Sequence, residues 1–375
     1  MDLIFTSPYL NTKKHKRVNK VDRAIDRQQQ RPWASTSTQQ RQKDPTFRNY
    51  SSSSAQNYAK NRPGYPEAVI SLILNQHTST GGALDLLLDV GCGPGTATRS
   101  LAPHFQHAVG ADPGRSMIET ARSIPSTTAS GEPVTYEVCA SDALSSLSAL
   151  ERYYSPADGT ATAAHWFDYP DFYREAARVL KPGGSIILWC TKGFFVDERT
   201  TPNAKKVQAL WQKFENEVTR AHEMPGNRLT RELYAGLPLP WSEYEYAYAD
   251  RDRDRDQDRK EQVDDETKRL LGVFDEKDYK RLVFNDHGQV KPGEEFFMSR
   301  RVTFEQSRRM LGTVSPVTRW REANKDKLES GEVEDVVDQI LRQTRELFDE
   351  VPEGKGRDWV EGGEALVVMV FKKKA

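Results

Sequence analysis

The stretch LLLDVGCGPGTATRSLA, Leu86 to Ala102, limits the fold more than any other segment of this chain. A run of only five residues, Leu86 to Val90, is apolar apart from Asp89, too short for a helix and right for a buried strand. Gly91, Gly93 and Gly95 follow at alternate positions, and a helical pattern starts straight after them. A strand that runs through bare backbone into a helix opens a strand–helix–strand unit. The next 90 or so residues keep that rhythm. HAVGAD reads as a second strand, 114–123 as a helix, VTYEVC as a third strand, and a short helix follows near 143–153. ATAAHWF is expected as a fourth strand, YPDFYREAARVL as a helix stopped by KPGG, and SIILWC as a fifth strand. Such alternation predicts an α/β fold, a doubly wound parallel sheet with helices on both faces. Continuous apolar runs are what strands buried on both faces look like.

Outside that core the pattern changes. Residues 1–54 lack hydrophobic periodicity, end in four serines and are expected to be a disordered basic tail. Its first 50 residues hold 11 Lys/Arg against 4 Asp/Glu, a net of +7. The ligand-binding core of this sheet is placed at 55–198, with Pro66 at a helix start. A helical cap follows at 199–276, including one long helix over 202–222 and a disordered charged insertion at 249–265 around DRDRDRDQDRKEQ. Residues 277–375 supply strands six (DYKRLVF) and seven (EALVVMVFKKK), with helical cap elements at 303–311 and 331–349 between them.

The glycine loop narrows the ligand. Open parallel sheets bind ligands beyond the carboxyl ends of their strands. The spacing is G-x-G-x-G, not the dinucleotide G-x-G-x-x-G, since Thr96 stands where the last glycine would be. Asp89 puts a carboxylate just before the loop, which suits an ammonium group better than a phosphate. Asp112 ends the second strand, 17 residues after Gly95, where an acid can hold two ribose hydroxyls. Asp142 and Ala143 follow the third strand, where a carboxylate can accept from the exocyclic amine of adenine. An amino-acid amine, a ribose and an adenine together describe S-adenosylmethionine, with NAD as the rival.

On the motifs LDVGCGPGTAT, GADPGRSMIETAR, SDA, AAHWFD and ARVLKPGG the chain resembles class I S-adenosylmethionine-dependent methyltransferases. YAKNRPGYP, AAHWFDYPDFYREAARVLKPGGSIILW and LGTVSPVTRWREAN are similar to the fungal trans-aconitate methyltransferase-like group, which includes cantharidin-type small-molecule methyltransferases. The resemblance covers about residues 55–375 without the charged insertion. It implies a seven-stranded sheet of order 3-2-1-4-5-7-6 with strand seven antiparallel, and a site over which Tyr58 and Arg62 close. The cofactor-binding set expected from loop and resemblance together is Tyr58, Arg62, Asp89, Gly91, Cys92, Gly93, Gly95, Asp112, Pro113, Met117, Asp142, Ala143 and Ala163. Two departures from the group stand out. DGTATAAHWF is shorter than the group's fourth strand, and Thr313-Val314-Ser315 lacks the group's aromatic residue.

Methyl transfer from a sulfonium is an in-line displacement that asks the protein chiefly for orientation and desolvation. Aromatic faces help hold a sulfonium cation, and Tyr58, Trp166 and Phe167 are candidates beside their packing roles. His165 and Trp166 are the expected catalytic pair. His165 could act as a general base on a hydroxyl, donate to a carboxylate, or be a structural histidine. A carboxylate acceptor needs no base near pH 7 but does need a cation, with Arg62 the first choice and Arg300 and Arg301 behind it. Cys92 is read as a small filler of the loop.

Composition excludes several other classes. Three widely spaced cysteines do not make a disulfide framework or a zinc cluster, and they fit a reducing, cytoplasmic compartment. No apolar run approaches the length of a membrane helix, and no resident metal is expected. A net charge of −1 exerts no global pull on nucleic acid. The ordered ligand set and the resemblance to the small-molecule group imply a small-molecule acceptor such as a carboxylic acid. The alternatives are an RNA or protein methyltransferase that uses the basic tail, and a catalytically weak relic that binds the cofactor.

Overall fold

The apolar runs pair into one mixed sheet, and alternation along each strand splits its side chains between two helical layers. The computed structural model describes residues 50–62, 64–153, 158–161, 163–242, 264–290 and 294–375. All of these fall in one compact unit, Gln40–Ala375. Most of the basic tail and of the charged insertion lies outside the described residues.

The sheet contains eight strands: β1 Leu86–Val90, β2 His107–Asp112, β3 Thr135–Val138, β4 Asp158–Ala161, β5 Ser185–Val196, β6 Lys280–Phe284, β7 Arg300–Thr303 and β8 Trp359–Lys372. Their order is β3-β2-β1-β4-β5-β8-β6, with β7 also paired to β8. The first five run parallel, and β8 is antiparallel to β5, β6 and β7. β7 is an addition to the seven strands expected. It exists because β8 begins at Trp359 rather than near 364, leaving Trp359–Gly362 to pair with Arg300–Thr303.

Period two decides the layers. Leu86, Leu88, Ile186, Leu188, Met369 and Phe371 face one apolar cluster with Phe172, Tyr173 and Ala176 of the helix Asp171–Val179. Leu87, Ile187, Trp189, Val368 and Val370 face the other, with Val69, Ile70 and Ile73 of the helix Glu67–Thr78. Burying each Leu or Ile of this kind stabilises the fold by about 1.5–3 kcal/mol. A third cluster lies beyond the sheet: Phe194, Val196 and Val360 pack against Trp211, Phe304, Ile340 and Phe348.

Four sequence expectations need correction. The serine run is not the end of a disordered tail: Ser51 caps the helix Ser52–Asn61, its Oγ accepting from the Ser54 amide at 3.1 Å. A serine oxygen there satisfies an otherwise orphaned amide of the first turn. Asp264 likewise caps the helix Asp265–Leu271, so the charged insertion stops before it. The fourth strand is Asp158–Ala161, not ATAAHWF, and Ala164–Trp166 forms a single 3-10 turn. The long helix over 202–222 is α-helical only over Ala204–Lys213; it continues as a π-helical turn, Phe214–Thr219, and a 3-10 turn, Arg220–His222. Hydrophobic spacing does not reveal such a change of register, and π-turns gather at functional sites.

Candidate active site

β1 ends in Asp89 and Val90, and the chain must then clear the neighbouring strand before its helix starts at Thr96. The amides of Gly91 and Cys92 both donate to the Ala111 carbonyl of β2, at 2.7 and 3.0 Å. Gly91 and Gly93 have φ of 70° and 54°, which side chains other than glycine rarely adopt. A Cβ on Gly91 would run into Ala163, whereas Gly93 has no atom within 4 Å of that position. The loop is therefore packed on one side and open at Gly93.

Two carboxylates attend the loop. Asp112 accepts from the Gly93 amide at 3.0 Å and from the Gly114 amide at 2.7 Å, which holds it beside the open face. Asp89 is fully buried; its Oδ2 accepts from Thr98 Oγ1 at 2.6 Å, and its Oδ1 is buried with no partner. Desolvation, with the nearby Asp112 charge adding to it, raises the Asp89 carboxyl to about 7. A buried carboxylate oxygen left without a donor is costly.

Beyond the loop lies a cavity of about 550 Å³. Among the expected residues, Tyr58, Arg62, Gly91, Cys92, Gly93, Asp112, Pro113, Met117, Ala163, His165, Trp166 and Phe167 line it. Asp89 lies beneath this wall rather than in it. Gly95 turns inward, its Cβ position against Tyr136, and caps the helix. Asp142 and Ala143 are also off the wall, where Ser141 stands instead. A turn closed by the Ala143 amide on the Ala140 carbonyl, 3.1 Å, carries both past the cavity.

The cations sort cleanly. Arg62 sits with its Cζ 5.1 Å from the Tyr58 ring centroid, and its buried Nε has no hydrogen-bond partner. Arg300 reaches the wall but is paired to Glu364 at 2.8 Å. Arg301 is off the wall: it lies 4.0 Å over the Trp359 ring and pairs with Glu361, because its strand position faces away from the cavity.

His165 Nδ1 lies 2.9 Å from the Tyr234 hydroxyl, and its ring centroid is 4.8 Å from that of Trp166. Burial lowers the His165 imidazole to about 3, so it is neutral at pH 7 and a poor proton acceptor. Trp166 reaches the cap because Gly226 has no side chain: a Cβ there would overlap the indole. Burial also pushes the Cys92 thiol well up, leaving no thiolate to react.

Sequence reasoning missed the far half of the wall. Tyr65 comes from the RPGYP segment, and Trp189, Phe194 and Phe195 from β5. Phe214, Glu215 and Thr219 come from the π-helical turn, and Glu223, Asn227, Thr230 and Arg231 from the segment after it. Met310, Leu311 and Val314 to Val317 stand there too, as do Lys192, Trp211 and Met298. Burial raises the Glu215 carboxyl above its usual range, with Arg231 opposing the shift. Tyr65 lies within the RPGYP motif, a signal that could have found it; the cap residues carry no local signal of this kind.

The family model for a methyltransferase domain matches residues 87–184, from β1 to the turn before β5. A Dictyostelium discoideum protein named as a methyltransferase is 33% identical over 140 residues, 36% of this chain and 46% of that protein. A Saccharomyces cerevisiae protein named as an S-adenosylmethionine-dependent methyltransferase is 25% identical over 134 residues, 35% of this chain and 43% of that one. The chain thus spans about half the length of the curated relatives it matches. A solved structure described as a type II methyltransferase from Anaeromyxobacter dehalogenans superposes with a TM-score of 0.50 at 20% identity, covering 84% of this chain and 97% of that one.

Proposed function

We propose, for a chain that carries a class I S-adenosylmethionine-dependent methyltransferase domain, that it moves a methyl group to oxygen on a small acceptor held in the cavity, a carboxylate first. S-adenosylmethionine, when bound, supplies an already activated methyl group. The residues suit it: the open face at Gly93 admits a ligand against bare backbone, Asp112 offers a carboxylate to ribose hydroxyls, and the orphaned Asp89 Oδ1 offers one to an ammonium group. Met117 and Ala163 give apolar wall on either side of that loop.

The weak basicity of His165 carries the choice of acceptor. A group held near 3 cannot take a proton from an alcohol with useful driving force. An acceptor already ionised at neutral pH needs no such help, and carboxylic acids meet that requirement. Arg62, with a buried unpartnered Nε in the wall, supplies the cation a carboxylate needs. The resemblance to the trans-aconitate methyltransferase-like group points the same way. Trp166 adds an aromatic face, worth about 0.5–2 kcal/mol towards a sulfonium. No described helix is long and apolar enough to cross a membrane, and a cytoplasmic location belongs to this reading.

Incubating the full chain with methyl-labelled S-adenosylmethionine and a panel of small acids, phenols and amines tests the proposal. Methyl esters, identified by mass spectrometry, are the expected products, formed at saturating S-adenosylmethionine at a rate nearly flat between pH 6 and 9, about the span over which carboxylates stay ionised. Transfer confined to phenols or amines would end the carboxylate reading.

A further inference from the structure

At the cap end of the cavity one buried carboxylate oxygen is left without a donor. Glu223 stands in the cavity wall with its side chain 4% exposed. Its Oε1 takes two donors from Arg231, Nε at 2.9 Å and Nη2. Its Oε2 is buried and has no partner. Arg231 has nothing further to offer it. Nη2 also donates to the Glu215 carbonyl at 3.2 Å, and Nη1 lies 3.4 Å from Asn216 Oδ1 and 3.9 Å from Glu215 Oε2.

The neighbouring hydroxyls do not help, because each spends its proton on its own backbone. Thr219 Oγ1 donates to the Glu215 carbonyl at 2.9 Å, and Thr230 Oγ1 to the Asn227 carbonyl at 2.8 Å. Both present only lone pairs to the cavity. Asn227 is engaged by Ser315, Arg319 and the Met224 amide. A buried carboxylate oxygen left without a donor is costly unless a ligand supplies one.

Resting on the reading that this cavity takes the methyl acceptor, we propose that Glu223 Oε2 anchors a hydrogen-bond donor on that acceptor. The donor is a hydroxyl or an ammonium group, remote from the methylated atom. The acceptor is then bifunctional, with an oxygen nucleophile at one end and an N–H or O–H at the other. Specificity of this type is steep, since a ligand lacking the donor leaves the buried oxygen unpaired.

Binding rather than turnover tests it. The full chain, saturated with S-adenosylhomocysteine, is titrated calorimetrically with phenylpropanoate and with its para-hydroxyl and para-aminomethyl derivatives. The three corresponding phenylpropanols form a second set. In at least one set a donor-bearing member binds about tenfold tighter or more than its parent, and the better of the two identifies hydroxyl or ammonium. In E223Q the Arg231 donors hold the amide oxygen, so the NH₂ takes the place of Oε2 and the preference disappears. Affinity for S-adenosylhomocysteine stays within about twofold of wild type, as a folded pocket requires. Equal affinity of parents and derivatives, absence of binding by every probe, or a preference that survives in E223Q overturns the inference. Should E223Q fail to bind S-adenosylhomocysteine, the wild-type comparison alone decides. A donor preference without methyl transfer to any acid would keep this inference and sink the carboxylate proposal.

Discussion

Asp89 shows how one residue can be legible in kind and invisible in state. The sequence places a carboxylate before the glycines, but only burial under the loop raises it from 3.8 to about 7. Below its unfolded value the group is protonated in both states and costs nothing. As pH rises from about 4 to 7 the unfolded chain releases its proton first, so stability falls and then levels off above the folded pKa. A shift of this size corresponds to roughly 4 kcal/mol at most. Asp89→Asn removes the titration. Its melting temperature without ligand should match wild type near pH 4 and exceed it increasingly up to pH 7.5 or so, by scanning calorimetry. A gap that does not change with pH would mean that Asp89 is solvated. The same variant should bind S-adenosylmethionine at least about tenfold more weakly, because the amide offers no charge to the ammonium group. His165 is the counterpart: its position was visible, but its weak basicity comes from its burial, beside the Tyr234 hydroxyl 69 residues later in the chain.

At the scale of elements, the glycine loop makes two separable demands. Gly91 needs both its positive φ and its missing Cβ, since Ala163 occupies that space; Gly93 needs its φ but faces a void. Gly93→Ala is expected to lower stability by only about 1–2 kcal/mol while weakening S-adenosylmethionine binding tenfold or more, because the methyl enters the ligand's space. Gly91→Ala adds overlap to strain and should cost about 2–5 kcal/mol. Paired denaturant melts and ligand titrations separate the two; equal losses of stability would mean that Gly93 faces packed protein. β1, its loop and the helix at Thr96 were readable because their signals are contiguous: an apolar run, glycines, then helical spacing. The fourth strand was misplaced because its register is set by pairing with β1 and β5, while the alanines and threonine around it suit strand and helix alike. The π-helical turn left no trace in the sequence pattern. Its extra residue per turn brings Phe214, Glu215 and Thr219 to one wall.

In the whole molecule the cap is not a separable domain. β5 and β8 are 12 and 14 residues long, and their far ends leave the sheet core to enter the cap cluster. Phe194 and Val196 of β5 and Val360 of β8 pack there with Trp211 and Phe348. Two strands shared by both clusters should make unfolding one cooperative event. Scanning calorimetry is expected to show a single transition for the described unit, and hydrogen exchange should give similar opening energies for amides in Ser185–Val196 and Ala204–Lys213. Two transitions, or a cap that exchanges well before the strand, would show that it opens independently.

The amino-acid order alone determined the α/β class, the loop that leaves backbone open to a ligand, and the two acids beside it. The loop and its acids lie within residues 86–112 and the class in a repeated strand–helix rhythm, signals for which local propensity and hydrophobic period suffice. Only the tertiary structure decided which cations remain free, that His165 is a weak base, that Asp142 stands off the cavity wall, and that Glu223 keeps an unpaired oxygen in the wall. Each depends on desolvation or on partners brought together from distant segments, and a short-range pattern in the sequence carries no record of either.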